Sequence, residues 1–174
     1  MMIGNFIYPF ENFLGVVPMR GRMDEIDRKI LMILQKNSRS SLREISKEVG
    51  LAESTVYERI KKMRERGIIR RFTVLLNPEA LGLGMLAFVL IKTKAGMYAK
   101  VAEELSKYPK IVEVYETTGD YDMIVKIRAR DSDELNRFLD AIGDIEGVES
   151  THTMVVLKVH KESSELPIEE PTIF

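Results

Sequence analysis

Between Ser41 and Met63 two short amphipathic patterns meet at Gly50, and this pairing constrains the chain more than any other feature. Leu42, Ile45 and Val49 recur at helical spacing, Gly50 stands where a tight turn needs positive φ, and Val56, Ile60 and Met63 open a second stripe. Two helices hinged in this way form a helix-turn-helix. At 100° per residue the second helix turns Val56, Ile60 and Met63 inward, and Ser54, Tyr57, Glu58, Lys61 and Lys62 outward. Hydroxyl, carboxylate and ammonium groups near a helix start reach base edges in a major groove, whereas Arg59, Lys62, Arg64 and Arg66 suit phosphate. The candidate DNA contacts are therefore Ser54, Thr55, Tyr57, Glu58, Arg59, Lys61 and Lys62. A plain helical hairpin with a solvated polar face is the alternative. The coincidence of turn glycine, stripe spacing and a basic C-terminal half weighs against it.

Charge supports the same reading once it is divided along the chain. The net charge over 174 residues is −1. Met23–Leu76, however, carries thirteen Lys/Arg against eight Asp/Glu, and Asn77–Phe174 carries eleven against eighteen. A basic front and an acidic rear suit a phosphate-binding half joined to a half that must not bind DNA. The chain has no cysteine, which excludes disulfides, zinc ribbons and thiol nucleophiles, and two histidines are too few for a His-based metal site. There is no glycine-rich phosphate loop, and His152 and His160 stand apart from any spaced carboxylate motif. Neither enzymatic chemistry nor a metal or prosthetic group is expected. A co-regulator that uses the same helices to bind protein is the remaining rival, and steep salt dependence of duplex binding separates the two.

Five segments follow from the punctuation of the chain. Residues 1–22 are apolar in patches, but Asn5, Glu11 and Asn12 interrupt them and no basic start precedes them, so neither a signal peptide nor a membrane span is expected. Met19 and Met23 both precede a strong helix opening at Asp24, which leaves a later start and a genuine N-terminal arm as alternatives. Ile26, Ile30, Ile33 and Leu34 predict a first helix ending near Asn37. After the helix-turn-helix, Gly67 stops the helix and Ile68–Leu76 reads as a strand, which makes residues 23–76 a winged helix-turn-helix. Asn77-Pro78, Gly82 and Gly84 mark a linker over 77–84.

Residues 85–160 alternate in kind: strand Met85–Lys94, helix Tyr98–Tyr108, strands Ile111–Thr118 and Tyr121–Arg130, helix Ser132–Ile142, strand Val148–Val159. Pro109 and Gly143 close the helices, and Asp131 or Ser132 can cap the second. A βαββαβ order with right-handed crossovers folds into a four-stranded antiparallel sheet carrying both helices on one face, the ferredoxin-like arrangement. The fold class is thus α+β. Met85–Ile91 is apolar at every position, so neither face of that strand should meet water. With helices on one side, a second copy of the sheet is expected on the other, and the chain should form a homodimer. Residues 161–174 form a tail.

Asp24-Glu-Ile-Asp-Arg-Lys-Ile-Leu, the helix-turn-helix, Arg66-Gly-Ile-Ile-Arg-Arg-Phe-Thr, Asn77-Pro-Glu-Ala-Leu-Gly and Thr118-Gly-Asp-Tyr-Asp, in this order, resemble the Lrp/AsnC family of transcriptional regulators. The resemblance runs from about Asp24 to about His160. It implies a cytoplasmic, DNA-binding dimer whose ferredoxin-like half, the RAM domain, pairs sheets, assembles dimers into octamers and binds a free amino acid as allosteric effector. Ala52 departs from the family pattern, because many relatives place Ser or Thr there as the helix cap. Ser54 or Glu53 would then have to serve instead.

The effector itself has a candidate loop. Thr117-Thr118-Gly119-Asp120-Tyr121-Asp122 joins two strands, and a hairpin turn alone accounts for Gly119. It does not account for two carboxylates, a tyrosine and two threonines in six residues. An amino acid needs backbone N–H groups for its carboxylate and an acid or carbonyl for its ammonium, and a glycine turn beside Asp120 and Asp122 offers both. The resemblance places the same loop in the effector site, which makes Gly119, Asp120, Tyr121 and Asp122 candidates. It also assigns Thr151 and Thr153 to that pocket. A polar cluster hydrogen-bonding across the sheet is the other reading of those two threonines.

Overall fold

The structure, a computed structural model, describes residues 23–168. The expectations for Met1–Arg22 and for the end of the tail lie outside the described residues. The chain divides into two compact units, one ending at Val74 and joined by the tail from Ser164, the other spanning Leu75–Ser163.

The first unit holds three helices, α1 (Glu25–Lys36), α2 (Leu42–Val49) and α3 (Glu53–Glu65). Two of them start with reciprocal capping boxes: Asp24 with Asp27, and Ser41 with Glu44, each satisfying N–H groups that a helix start leaves unpaired. Gly50 ends α2 in the left-handed region (φ 71°), and the N–H groups of Gly50 and Leu51 both reach the Ser46 carbonyl. Ile30, Leu34, Ile45, Val56 and Met63 make the core, with Ile60, Ile68 and Ile69 packed at its edge. Helix α3 has no side-chain cap, so neither Ser54 nor Glu53 takes the place of the missing Ser or Thr. Glu53 in the first turn still opposes the positive end of the helix dipole. On the same unit the tail is fastened to α1, where the Gln35 amide donates to the Leu166 carbonyl (3.0 Å) and accepts its N–H (2.9 Å).

The expected wing strand Ile68–Leu76 is not formed. The N–H groups of Ile68 and Ile69 are spent on the Met63 carbonyl, closing α3 (2.9 and 3.2 Å). Beyond them Phe72, Val74, Leu75 and Leu76 are exposed. β-propensity is high there, but a strand exists only with a ladder partner, and among the described residues no sheet edge pairs with this segment.

The second unit follows the expected βαββαβ order: β1 (Met85–Thr93), α4 (Tyr98–Leu105), β2 (Ile111–Glu116), β3 (Met123–Ala129), α5 (Ser132–Gly143) and β4 (Val148–Val155). All pairings are antiparallel in the order β2-β3-β1-β4. Strand β4 stops at Val155, short of the expected Val159, because its partner β1 runs out: Val155 lies opposite Ala87, and the last bond goes from the Val156 N–H to Leu86. Val101, Leu105, Leu135 and Ile142 of the two helices pack on Ala87, Val89, Ile91, Met123, Val125 and Ile127. Among the described residues no helix covers the other side of the sheet. There Leu86 is buried while Phe88 and Leu90 are half-buried, flanked by Tyr115, Ile124 and Met154, so β1 is only partly covered on this side. Glu162 of the tail reaches back to this face and pairs with Lys126 and with Arg128 (2.6 Å).

Candidate functional site

Helix α3 presents two different faces. Val56 and Met63 are fully buried, which orients the helix, and Ser54, Thr55, Tyr57, Glu58, Lys61 and Lys62 are all exposed on its surface. Among the described residues no ion pair holds Lys61, Lys62 or Arg64, so their charges are available to an outside anion. A helix carrying hydroxyls at its start and free ammonium groups at its end can read base edges and hold phosphate at the same time.

Arg59 stands apart from the other predicted contacts. Its guanidinium Nη1 donates to Asp24 Oδ2 (2.7 Å) and to Asp27 Oδ1 (2.8 Å). The remaining carboxylate oxygens serve the capping box, with Asp24 Oδ1 accepting the Asp27 N–H (2.8 Å) and Asp27 Oδ2 accepting the Asp24 N–H. All four oxygens are therefore in use, and Arg59 clasps α3 to the start of α1 instead of facing outward. The Asp27 and Asp24 bonds hold the Arg59 pKa above its ordinary value, while the Asp27 N–H and then Arg59 hold the Asp24 carboxyl below its own. A signal for this was present in the sequence. At 100° per residue Arg59 falls about 60° from Val56, on the flank of the buried stripe, and Asp24-x-x-Asp27 has capping-box spacing.

The predicted effector loop is a braced turn. The Thr117 N–H donates to the Asp122 carbonyl (2.8 Å) and its hydroxyl to the Tyr121 carbonyl (2.8 Å), tying the two ends together. The Asp122 N–H donates to the Ile91 carbonyl of β1 (3.0 Å), and its Oδ2 accepts both the Thr93 N–H (2.6 Å) and the Thr93 hydroxyl (3.0 Å). Those two bonds, the backbone one first, pull the Asp122 pKa below its usual range. Asp122 thus anchors the loop to the sheet. Gly119 at the tip has φ 115°, a conformation that disfavours any side chain, and Asp120 beside it is exposed with no hydrogen bond or ion pair among the described residues.

The last strand places the two threonines and the histidine on opposite sides of the sheet, as the alternation along a strand leads one to expect. Thr151 and Thr153 lie opposite Ile91 and Val89, in the register of the helix-covered side, whereas His152 lies opposite Leu90 on the open side. The Tyr121 and His152 rings stand 6.3 Å apart at 37°. Tyr121 of the loop thus neighbours His152, and the sheet lies between His152 and the two threonines. The chain crossing from β2 to β3 had to be placed against β4 before this neighbourhood could be seen.

The family model described as the AsnC-type helix-turn-helix domain matches residues 23–64, and that described as the Lrp/AsnC ligand binding domain matches residues 86–166. The HTH-type transcriptional regulator FL11 of Pyrococcus furiosus is 67% identical over 150 residues, which cover 86% of this chain and 99% of that protein. FL11 of Pyrococcus abyssi is 68% identical over the same shares. Among solved structures, AsnC of E. coli superposes with a TM-score of 0.80 at 30% identity, covering 84% of this chain and 100% of that one. The L-Met complex of transcriptional regulator NMB0573 from Neisseria meningitidis has a TM-score of 0.79 at 29% identity, covering 84% and 97%.

Proposed function

The chain belongs to the Lrp/AsnC family and is a DNA-binding transcriptional regulator with a ligand-binding domain, and from that premise we propose that its second unit senses a free amino acid. The observation that carries this reading is the loop tip: Asp120, unpaired and exposed, next to the positive-φ Gly119, on a turn fixed at both ends by Thr117 and Asp122. An unpaired carboxylate on a rigid frame suits an ammonium group, and little ordering cost remains to be met on binding. The Neisseria regulator, solved with L-Met, supports the choice of ligand class. Asp120, Gly119 and Tyr121 are the proposed contacts, with Asp122 as their anchor and Thr151 and Thr153 reaching the ligand from another copy. Titration calorimetry of the protein with each of the twenty amino acids tests this. A saturable, stereospecific heat that Asp120→Ala abolishes is the expected result, and silence across the panel would remove amino-acid sensing while leaving DNA binding untouched.

The same reading makes the regulator a homodimer that assembles further, up to an octamer. On the open sheet face Phe88 and Leu90 are half-buried and Tyr115 and Met154 exposed, an apolar row that a second copy of the sheet would cover. Sedimentation velocity that finds only a monomer at micromolar concentration would contradict it. A two-fold dimer reads pseudo-palindromic operators, with half-sites about one helical turn apart or a multiple of it. Among the described residues no helix is long and apolar enough to cross a membrane, and the proposed site of action is the cytoplasm, where the DNA is.

A further inference from the structure

We propose that Arg70 and Arg71 form a second DNA-contacting element, an arginine arm that binds the phosphate backbone flanking the site read by α3. The proposal rests on the reading of α3 as a DNA reader and extends it to residues that lie outside the helix-turn-helix.

The arm leaves from a fixed point. Gly67 takes φ 76° and closes α3 with its N–H on the Arg64 carbonyl (2.9 Å), and the next two N–H groups return to Met63. Ile68 and Ile69 are half-buried against the three-helix core. The two arginines that follow are both exposed, and among the described residues neither has a hydrogen bond or an ion pair. From Arg66 to Pro78 the chain contains no carboxylate, so nothing nearby in sequence neutralises them. The contrast with the second unit is chemical. There Lys100, Lys110, Lys126, Arg128 and Arg130 are each paired with a glutamate.

Three properties favour DNA as the occupant. The arm continues the basic C-terminal half of α3, where Lys61, Lys62 and Arg64 are also unpaired. Guanidinium groups bind phosphate through two parallel N–H donors, a geometry that lysine cannot reproduce. A basic segment next to a recognition helix can reach DNA beyond the groove that the helix fills, as arms do in other helix-turn-helix proteins.

The test uses the full chain, a duplex carrying the site that the wild-type protein selects from a random pool, and a scrambled duplex of equal length. Affinity is measured for both as salt is raised, for wild type and for Arg70→Gln/Arg71→Gln. Each phosphate contact contributes about 0.9 to the slope of log K against log salt. The double variant should therefore lose about 1.8 from the slope per bound protomer. Across a fourfold rise in salt, its affinity should fall about twelvefold less than that of wild type. The decrease in affinity should be the same on both duplexes, because phosphate carries no sequence. Arg70→Lys/Arg71→Lys should keep the slope while binding more weakly, with melting temperature and oligomeric state unchanged. An unchanged slope and affinity overturns the arm. A loss confined to the selected duplex overturns the phosphate assignment in favour of base contact, and an altered oligomeric state without a slope change moves the arginines to a protein interface. If wild type itself binds neither duplex, the underlying reading of α3 fails, which is a separate and distinguishable result.

Discussion

Replacing Arg59 with alanine should unfasten α3 from α1 and leave DNA electrostatics almost unchanged. The magnitude follows from what each carboxylate loses. Asp24 is half exposed (50%) and rehydrates freely, so its bond to Arg59 counts as a surface pair worth well under about 1 kcal/mol. Asp27 is only 10% exposed, and without its guanidinium a nearly buried carboxylate keeps a single N–H partner. Hydrogen bonds to charged groups contribute about 1.5–3 kcal/mol, and breaking a fully buried pair costs about 3–5 kcal/mol. Because the Arg59 side chain is itself 28% exposed, the lower range applies, and Arg59→Ala should cost about 2–3 kcal/mol. Asp24→Asn retains a good cap and should cost less than about 1 kcal/mol. Denaturation in urea followed by circular dichroism gives these values, and a cycle with Asp27→Ala isolates the pair. Acid should weaken the clasp as well. The Asp24 carboxyl is depressed in the fold, so its contribution is present above its unfolded pKa of 3.8 and lost as pH falls through the lower folded value. The reasoning is refuted if Arg59→Ala melts like wild type and at the same time loses about 0.9 from the salt slope, since Arg59 would then be a phosphate ligand.

Further expectations concern other parts of the chain. Lys61→Ala and Lys62→Ala should weaken duplex binding without lowering the melting temperature or splitting the oligomer; unchanged affinity in both would displace the proposed reading face. Gly147→Ala should destabilise the second unit by about 2–5 kcal/mol, because the backbone holds φ 105° and a Cβ would stand 2.8 Å from Met97 Cβ and 3.0 Å from Val101 Cγ2. A wild-type denaturation midpoint in that variant would contradict the packing described. Glu134 accepts from Lys110, from the Arg130 N–H (2.7 Å) and from the Arg130 side chain, and its pKa is lowered from 4.5 to about 2. Its stabilising effect is thus full above pH 4.5 and disappears as pH falls toward 2. Glu134→Gln should flatten the stability profile in that window, and an unaltered profile would count against the network.

Much of the molecule was legible because the relevant interactions are local. The stripes Ile30-Ile33-Leu34, Leu42-Ile45-Val49 and Val56-Ile60-Met63 are statements about neighbours three and four residues apart, and Gly50 and Gly67 sit where the backbone must turn left-handed. The order of strands and helices in the second unit could be read for the same reason, and right-handed crossover rules then left one sheet topology. The outward residues of α3 followed from its inward ones. At Ile68–Leu76 the local pattern does not decide the structure. The composition there favours a strand, but a strand is a relation between two segments, and composition does not supply the second.

What the tertiary structure alone decided are the partners far apart in the chain. Arg59 reads in the sequence as one more basic residue of α3; packing brings it to Asp24 and Asp27, more than thirty residues away, where it clasps α3 to the start of α1. Asp122 and Asp120 read alike in the sequence; β1 places Thr93 against Asp122, and Asp120 has no hydrogen bond or ion pair among the described residues. His152 acquires a neighbour in Tyr121 only because β4 lies beside β1 at the end of the sheet where the loop emerges. Periodicity determines which side of an element faces inward. Which charge meets which depends on how those inward sides close on one another, and that is settled by the packing of the whole core.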